Sequence, residues 1–228
     1  MHTETATASV LFGLSAAVVA TIIFVAVYAL VISEKINRAI VALLGAGLLI
    51  LSGVLTQEAA VRGIDFNTIG LLLGMMVIVG ITGKSGVFQY IAIWSAKKVN
   101  AHPIGVLLML AIVTAVLSAL LDNVTTVLLV VPVTILITEE LAVKPYPYLV
   151  TEILFSNIGG TSTLIGDPPN IMIGSLVGLT FNDFVYNLAP VVLVVAVCTL
   201  IPIYFVWRKE LVTTDEARKR VMEFNERD

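Results

Sequence analysis

Ser156-Asn157-Ile158-Gly159-Gly160-Thr161-Ser162-Thr163-Leu164-Ile165-Gly166-Asp167-Pro168-Pro169-Asn170 is the stretch on which the fold turns. It continues an apolar segment that begins at Tyr146, yet it cannot stay helical. Proline lacks the N–H that an interior helical residue donates, and the residue before a proline is pushed out of the helical region. A helix starting near Tyr146 is therefore predicted to unwind around residues 166–170 and to restart at Ile171. If the surroundings are hydrocarbon, unwound backbone is tolerated only when buried in protein or lining a wet cavity.

The composition says that they are hydrocarbon. Of 228 residues, 58% are hydrophobic and 13% charged, with a mean hydropathy of +1.02; a soluble domain carries roughly 25% charged residues. This excludes an ordinary soluble domain and a disordered chain. With 13 Lys and Arg against 16 Asp and Glu, it also excludes a nucleic-acid binder. Cys198 stands alone, and His2 and His102 are isolated, so neither a disulfide framework nor a metal centre is expected. A span needs about 20 mostly apolar residues. The expected architecture is an all-α polytopic membrane protein. Residues 1–208 form the transmembrane domain, with spans at 10–32, 39–55, 68–83 and 184–207, a hairpin at 104–138 and a broken helix at 146–179. Residues 209–228 form a charged cytoplasmic linker or tail. Segment 85–98 places Val87, Phe88, Ile91 and Trp94 on one helical face, with Lys84, Gln89, Lys97 and Lys98 off it. It reads as a helix lying in the membrane interface, or else as a polar extension of the preceding span.

Lys and Arg accumulate in cytoplasmic loops. With the N-terminus outside and alternating spans, Lys35, Arg38, Lys84, Lys97, Lys98, Lys144, Arg208, Lys209, Arg218, Lys219, Arg220 and Arg227 fall inside, and only Arg62 outside. The expected location is the cell membrane, with the C-terminus cytoplasmic. Residues 104–138 can be drawn as two full spans with Asp122-Asn123 outside, or as a re-entrant hairpin with Asp122-Asn123 at a mid-membrane tip. Residues 124–138 as a helix reach only about 22 Å, short of a core about 30 Å thick.

Three carboxylates, Asp122, Glu152 and Asp167, sit in or beside apolar segments. An ionisable group at the centre of a span costs roughly 2.5–3.5 kcal/mol, so such groups line a pathway or a site by default; the alternative is a loop at the membrane surface. All three are candidates for proton coupling. Carbonyls freed at a break can coordinate Na⁺, and helix N-termini favour anions. Asn123 has a plainer alternative role, as the cap of the following helix.

These residues carry a resemblance. Leu120-Leu121-Asp122-Asn123-Val124-Thr125-Thr126 and the stretch 156–170 resemble the arsenite permease / sodium–proton antiporter (ArsB/NhaD) group of the ion transporter superfamily, which includes citrate-transporter-like permeases and the melanosomal P protein. The Gly-Asp-Pro-Pro-Asn break is the more specific motif, and the resemblance runs from about Lys35 to the C-terminus. In the more distant divalent anion–sodium symporters, a hairpin tip of Ser-Asn-Thr and a broken helix with Gly-Thr-Pro-Pro-Asn clamp Na⁺ and the anion. By position, the resemblance assigns ion or substrate binding to Asp122, Asn123, Thr125, Thr161, Gly166, Asp167 and Asn170, with Na⁺ at Asn123, Gly166 and Asn170. It favours the re-entrant drawing. Two carboxylates replace Ser and Thr, which favours cation or proton coupling or a neutral substrate over a dianionic carboxylate.

The implied function is secondary active ion transport, coupled to Na⁺ or H⁺. The substrate would be an inorganic or small organic anion such as arsenite, or a cation exchanged for protons. The coupling ion is the sole cofactor expected. The group is built of two inverted repeats, and one hairpin tip and one broken helix are found, so the chain is expected to be an N-terminal half: a truncated sequence or one subunit of a split carrier. The expected partners are the bilayer, the transported ion, a complementary C-terminal half and a second copy in a homodimer, but no nucleic acid. A channel, a non-transporting membrane scaffold and an intramembrane enzyme using Asp122 and Asp167 are the alternatives. No nucleophile pair, phosphate loop or metal-ligand cluster supports the enzyme.

Overall fold

In a computed structural model, residues 14–223 are described; residues 10–13 of the first expected span lie outside them. Among the described residues, the elements are helices. The chain divides into two compact units, one ending at Asp65 and the other beginning at Phe66.

The first unit contains α1 (Ala16–Ile32), α2 (Arg38–Leu51) and α3 (Gln57–Arg62). Asn37 starts α2 by accepting from the Ala39 N–H at 2.9 Å, and Thr56 starts α3 by accepting from Ala59 at 3.2 Å, which satisfies donors that a helix start leaves unpaired. α1 packs on α2, and Gly45 permits the contact, since a Cβ there would run into the Val27 side chain. α2 stops at Leu51, earlier than the expected 55, where Ser52 caps it and a turn at Gly53 follows.

The second unit contains α4 (Phe66–Gly83), α5 (Val87–Lys98), α6 (Pro103–Leu120), α7 (Asn123–Glu140), α8 (Tyr146–Gly160), α9 (Pro168–Val177), α10 (Phe181–Trp207) and α11 (Asp215–Glu223). Among the described residues, α4, α6, α7 and α10 are long and apolar enough to cross a membrane; α1 and α2 are apolar but shorter. The core is built by α5, α6, α7 and α8, with Leu110, Ile137, Tyr148 and Phe155 among its buried side chains. α6 and α8 approach most closely: a Cβ on Gly159 would collide with the Ala115 backbone. The other faces of the long helices stay apolar and uncovered, as at Leu193 of α10 and Leu128 of α7 (each 68% exposed), which suits lipid or protein contact far better than water.

Four expectations change. The helix from Tyr146 ends at Gly160 rather than near 166, and α9 begins at Pro168 rather than Ile171. The reason is that proline is well placed in the first turn, where an N–H would have no partner anyway; Pro168-Pro169 therefore opens a helix, and residues 161–167 are the non-helical loop. α7 has 18 residues, about 27 Å, so its length does not by itself argue for re-entrance. On α5 the buried face carries Phe88, Ala92, Ser95 and Ala96, whereas Trp94 is turned outward with Lys98 over its ring at 4.7 Å. Finally, the charged tail contains α11, whose Ala217 and Val221, at i and i+4, are buried. Arg218 donates to the Asn100 carbonyl (3.1 Å), Arg220 to the Glu140 carbonyl (3.0 Å), and Lys144 pairs with Glu210 (3.4 Å). The turns before α6 and before α8 are thus tied to the segment after α10.

Candidate functional site

Four helix ends meet where α6 gives way to α7 and α8 to α9. The C-terminal ends of α6 and α8 carry partial negative charge, and the N-terminal ends of α7 and α9 partial positive charge. Asp122 is the N-cap of α7. Its Oδ1 accepts from the Thr125 N–H at 2.8 Å, and its Oδ2 accepts from the Thr125 hydroxyl. Capping thus falls to Asp122 and not to Asn123, which releases the Asn123 side chain. That amide reaches across to the other half of the site: Nδ2 donates to Asn157 Oδ1 at 3.0 Å and lies 3.4 Å from Asp167 Oδ1. Asp167 stands at the N-terminus of α9 in extended conformation and makes no cap bond of its own, so its carboxylate is presented to the junction.

The loop 161–167 is held from both sides. Buried Asn170 donates to the carbonyls of Thr161 (3.1 Å) and Thr163 (2.9 Å). The Thr163 hydroxyl donates to the Ala119 carbonyl at 2.5 Å and accepts from the Gly166 N–H at 3.1 Å. The Ser118 hydroxyl donates to the Ser156 carbonyl at 2.6 Å. Several carbonyls expected to be free at the break are therefore engaged, because short polar side chains in the loop and in the first turn of α9 substitute for the missing helical donors. Gly166 sits against backbone: a Cβ there would lie 2.5 Å from the Gly160 oxygen and 2.6 Å from the Ser118 oxygen. Only glycine fits so close an approach.

Of the residues singled out from sequence, Asn123 and Asp167 meet directly, Asp122 and Thr125 pair beside them, and Asn170, Thr161 and Gly166 belong to the loop framework. The Thr161 hydroxyl donates to the Asn157 carbonyl at 2.8 Å. Glu152 lies apart, buried in the bundle, and accepts from the Thr134 hydroxyl. Asn157 stands inside the quoted motif but is not among those candidates; the sequence signal for it is an amide one turn before a Gly-Gly helix end. Asn157, Ile158 and Thr161 also line a groove of about 270 Å³ with Leu188, Val191, Val192 and Val195 of α10. At the other end of the same helix pair, Tyr146 packs edge-on against Trp207 at 6.3 Å. α8 and α10 therefore run antiparallel, and the junction lies beside the interior of α10, not beside its end.

Residues 28–224 match the citrate transporter family, CitMHS. An uncharacterized transporter of Mycobacterium tuberculosis is 46% identical over 92% of the chain, and the 46 kDa membrane protein of Mycobacterium leprae is 42% identical over 92%. The chain spans about half the length of these curated relatives. The P protein of Homo sapiens is 39% identical over 85% of the chain, which covers 24% of its length. With the match extending over most of its length, the chain belongs to the citrate transporter (CitMHS) family, a family of multi-pass membrane transporters and not of enzymes.

Proposed function

We propose that this chain forms the site-bearing half of a secondary active ion transporter, with α6–α7 as a re-entrant hairpin and α8–α9 as one discontinuous helix. The observation that carries this reading is the bridge from Asn123 to Asn157 and Asp167 beside residues 188–195 of α10. α10 has 27 residues. Leu188 lies about 10 Å from its start and about 28 Å from Trp207 at 1.5 Å per residue. A helix of that length that crosses the bilayer carries the junction inside the hydrocarbon region, as a hairpin tip requires. The Lys and Arg distribution supports an outside N-terminus and a cytoplasmic C-terminus, and α11 would then clasp the cytoplasmic turns.

At the junction, Asp122, Asp167, the oxygens of Asn123, Asn157 and Asn170, and the hydroxyls of Thr125 and Thr161 supply hard oxygen ligands suited to Na⁺ or H⁺. The N-terminal ends of α7 and α9 favour a small anion beside the cation. Binding of proton and Na⁺ to the same carboxylates is mutually exclusive, and that exclusion is the physical basis of coupling. Substrates compatible with this chemistry are an inorganic or small organic anion such as arsenite, or a cation exchanged for protons. One half provides one wall of such a site, so transport requires a complementary half or a second copy.

The test is chemical access. In a Cys198→Ala background, Asn123→Cys in proteoliposomes should react slowly with a membrane-impermeant maleimide applied at the outer face, and Na⁺ or acid should change that rate. Rapid labelling indifferent to ions would refute the hairpin. In the chain reconstituted with a complementary half, Asp122→Asn and Asp167→Asn should each abolish ion-dependent transport at normal protein levels. Wild-type rates in both would refute a coupling role for these carboxylates.

A further inference from the structure

We propose that Glu152 is a proton-binding site inside the α6–α7–α8 bundle, separate from the junction, where the side chain is held as a neutral acid against Thr134. Glu152 is 1% exposed and lies five residues before Asn157, roughly 7 Å along α8. The Thr134 hydroxyl bonds to Oε1. Oε2 is buried and has no hydrogen-bond partner among the described residues. An ionised carboxylate with a buried, unpaired oxygen is strongly disfavoured, and such a group neutralises instead.

No charge on the packed elements offsets an ionised form. The elements packed on α8 are α6, α7 and α10. α6 has no titratable side chain; α7 has Glu139 and Glu140 in its last turn; α10 has Asp183, Tyr186, Cys198 and Tyr204. α8 itself adds Tyr146 and Tyr148, and the Tyr148 hydroxyl donates to the Pro103 carbonyl at 3.0 Å. None of these is basic. Lys97 and Lys98 end α5, which packs on α6 and α7. A proton serves better than a metal ion, which would need several oxygens around Oε2. With the acid neutral, the Thr134 hydroxyl can donate to Oε1 as a carbonyl oxygen or accept a proton carried on Oε1, and the group left without a partner at Oε2 is then uncharged.

The proposal rests on burial and the Thr134 contact and not on the transport reading, so its test does not use transport. Infrared spectra of the reconstituted chain at neutral pH, with and without ¹³C-carboxyl glutamate, should contain a label-sensitive band of a protonated carboxyl group. Glu152→Gln should remove that band. Thr134→Val, which loses the hydrogen bond at nearly unchanged volume, should move it to higher frequency, and this readout stands alone if Glu152→Gln fails to fold. Absence of a label-sensitive protonated band, its survival in Glu152→Gln, its indifference to Thr134→Val, or a glutamate carboxylate band that responds to Na⁺ would each overturn the proposal.

Discussion

Gly166→Ala tests how the two halves of the site are held together. The added Cβ would lie 2.5 Å from the Gly160 oxygen and 2.6 Å from the Ser118 oxygen. The first is 0.9 Å short of the 3.4 Å at which ordinary contact begins. Both obstacles are backbone atoms, so no side-chain rotation relieves the clash and the loop 161–167 must move away from α6 and α8. The Asn123–Asp167 contact, at 3.4 Å, is already at the long end for a hydrogen bond, and a displacement of that size breaks it. Overpacking of this kind costs about 1–3 kcal/mol, equivalent to about five- to 150-fold in an equilibrium constant. Unfolding of the purified chain in mixed micelles, followed by circular dichroism, should register that loss. Gly74→Ala is the control, because a Cβ there meets nothing within 4 Å and alanine is the better helix former. A Gly166→Ala variant as stable as the Gly74→Ala control would refute the close packing at the loop.

Further outcomes follow from the same contacts. Asp122→Ala removes the cap on Thr125 and should destabilise the chain by about 0.5–2 kcal/mol, whereas Asp122→Asn should retain most of that stability; the two are separated in one denaturation series. Asn170→Ala leaves the Thr161 and Thr163 carbonyls without their donor and should cost about 1–3 kcal/mol, with faster amide exchange confined to the loop and the start of α9. Val221 is fully buried, so Val221→Asp should release α11 and expose residues 213–214 to limited proteolysis. By contrast, Glu140→Gln alters only a partly exposed pair with Arg220 at 3.4 Å and should change stability by less than about 1 kcal/mol. A reporter fused after Trp207 should behave as cytoplasmic; activity only on the outer side would reverse the orientation.

Much of this protein is legible in the residues themselves, because the governing constraints are local. A backbone in hydrocarbon has to satisfy its own polar groups, so long apolar runs become helices, and 104–120 and 184–207 announce themselves by composition. Gly-Asp-Pro-Pro-Asn announces an interruption, since proline cannot donate within a helix. What composition could not decide is which side of the prolines is helical; the free first turn of α9 accepts them, and that places the loop before them. Tertiary structure alone decided the rest. Whether Asp122 or Asn123 caps α7 depends on which side chain finds a partner across the site, and Asn123 finds Asn157 on α8 and Asp167 at the start of α9, 34 and 44 residues away. The buried face of α5 and the docking of α11 depend on neighbours supplied by α6 and α7. The placement of Asn157 and Thr161 beside Leu188 and Val192 depends on the register of α8 against α10. Periodicity reports the faces and lengths of single helices, but pairings and levels arise only when helices remote in sequence pack together.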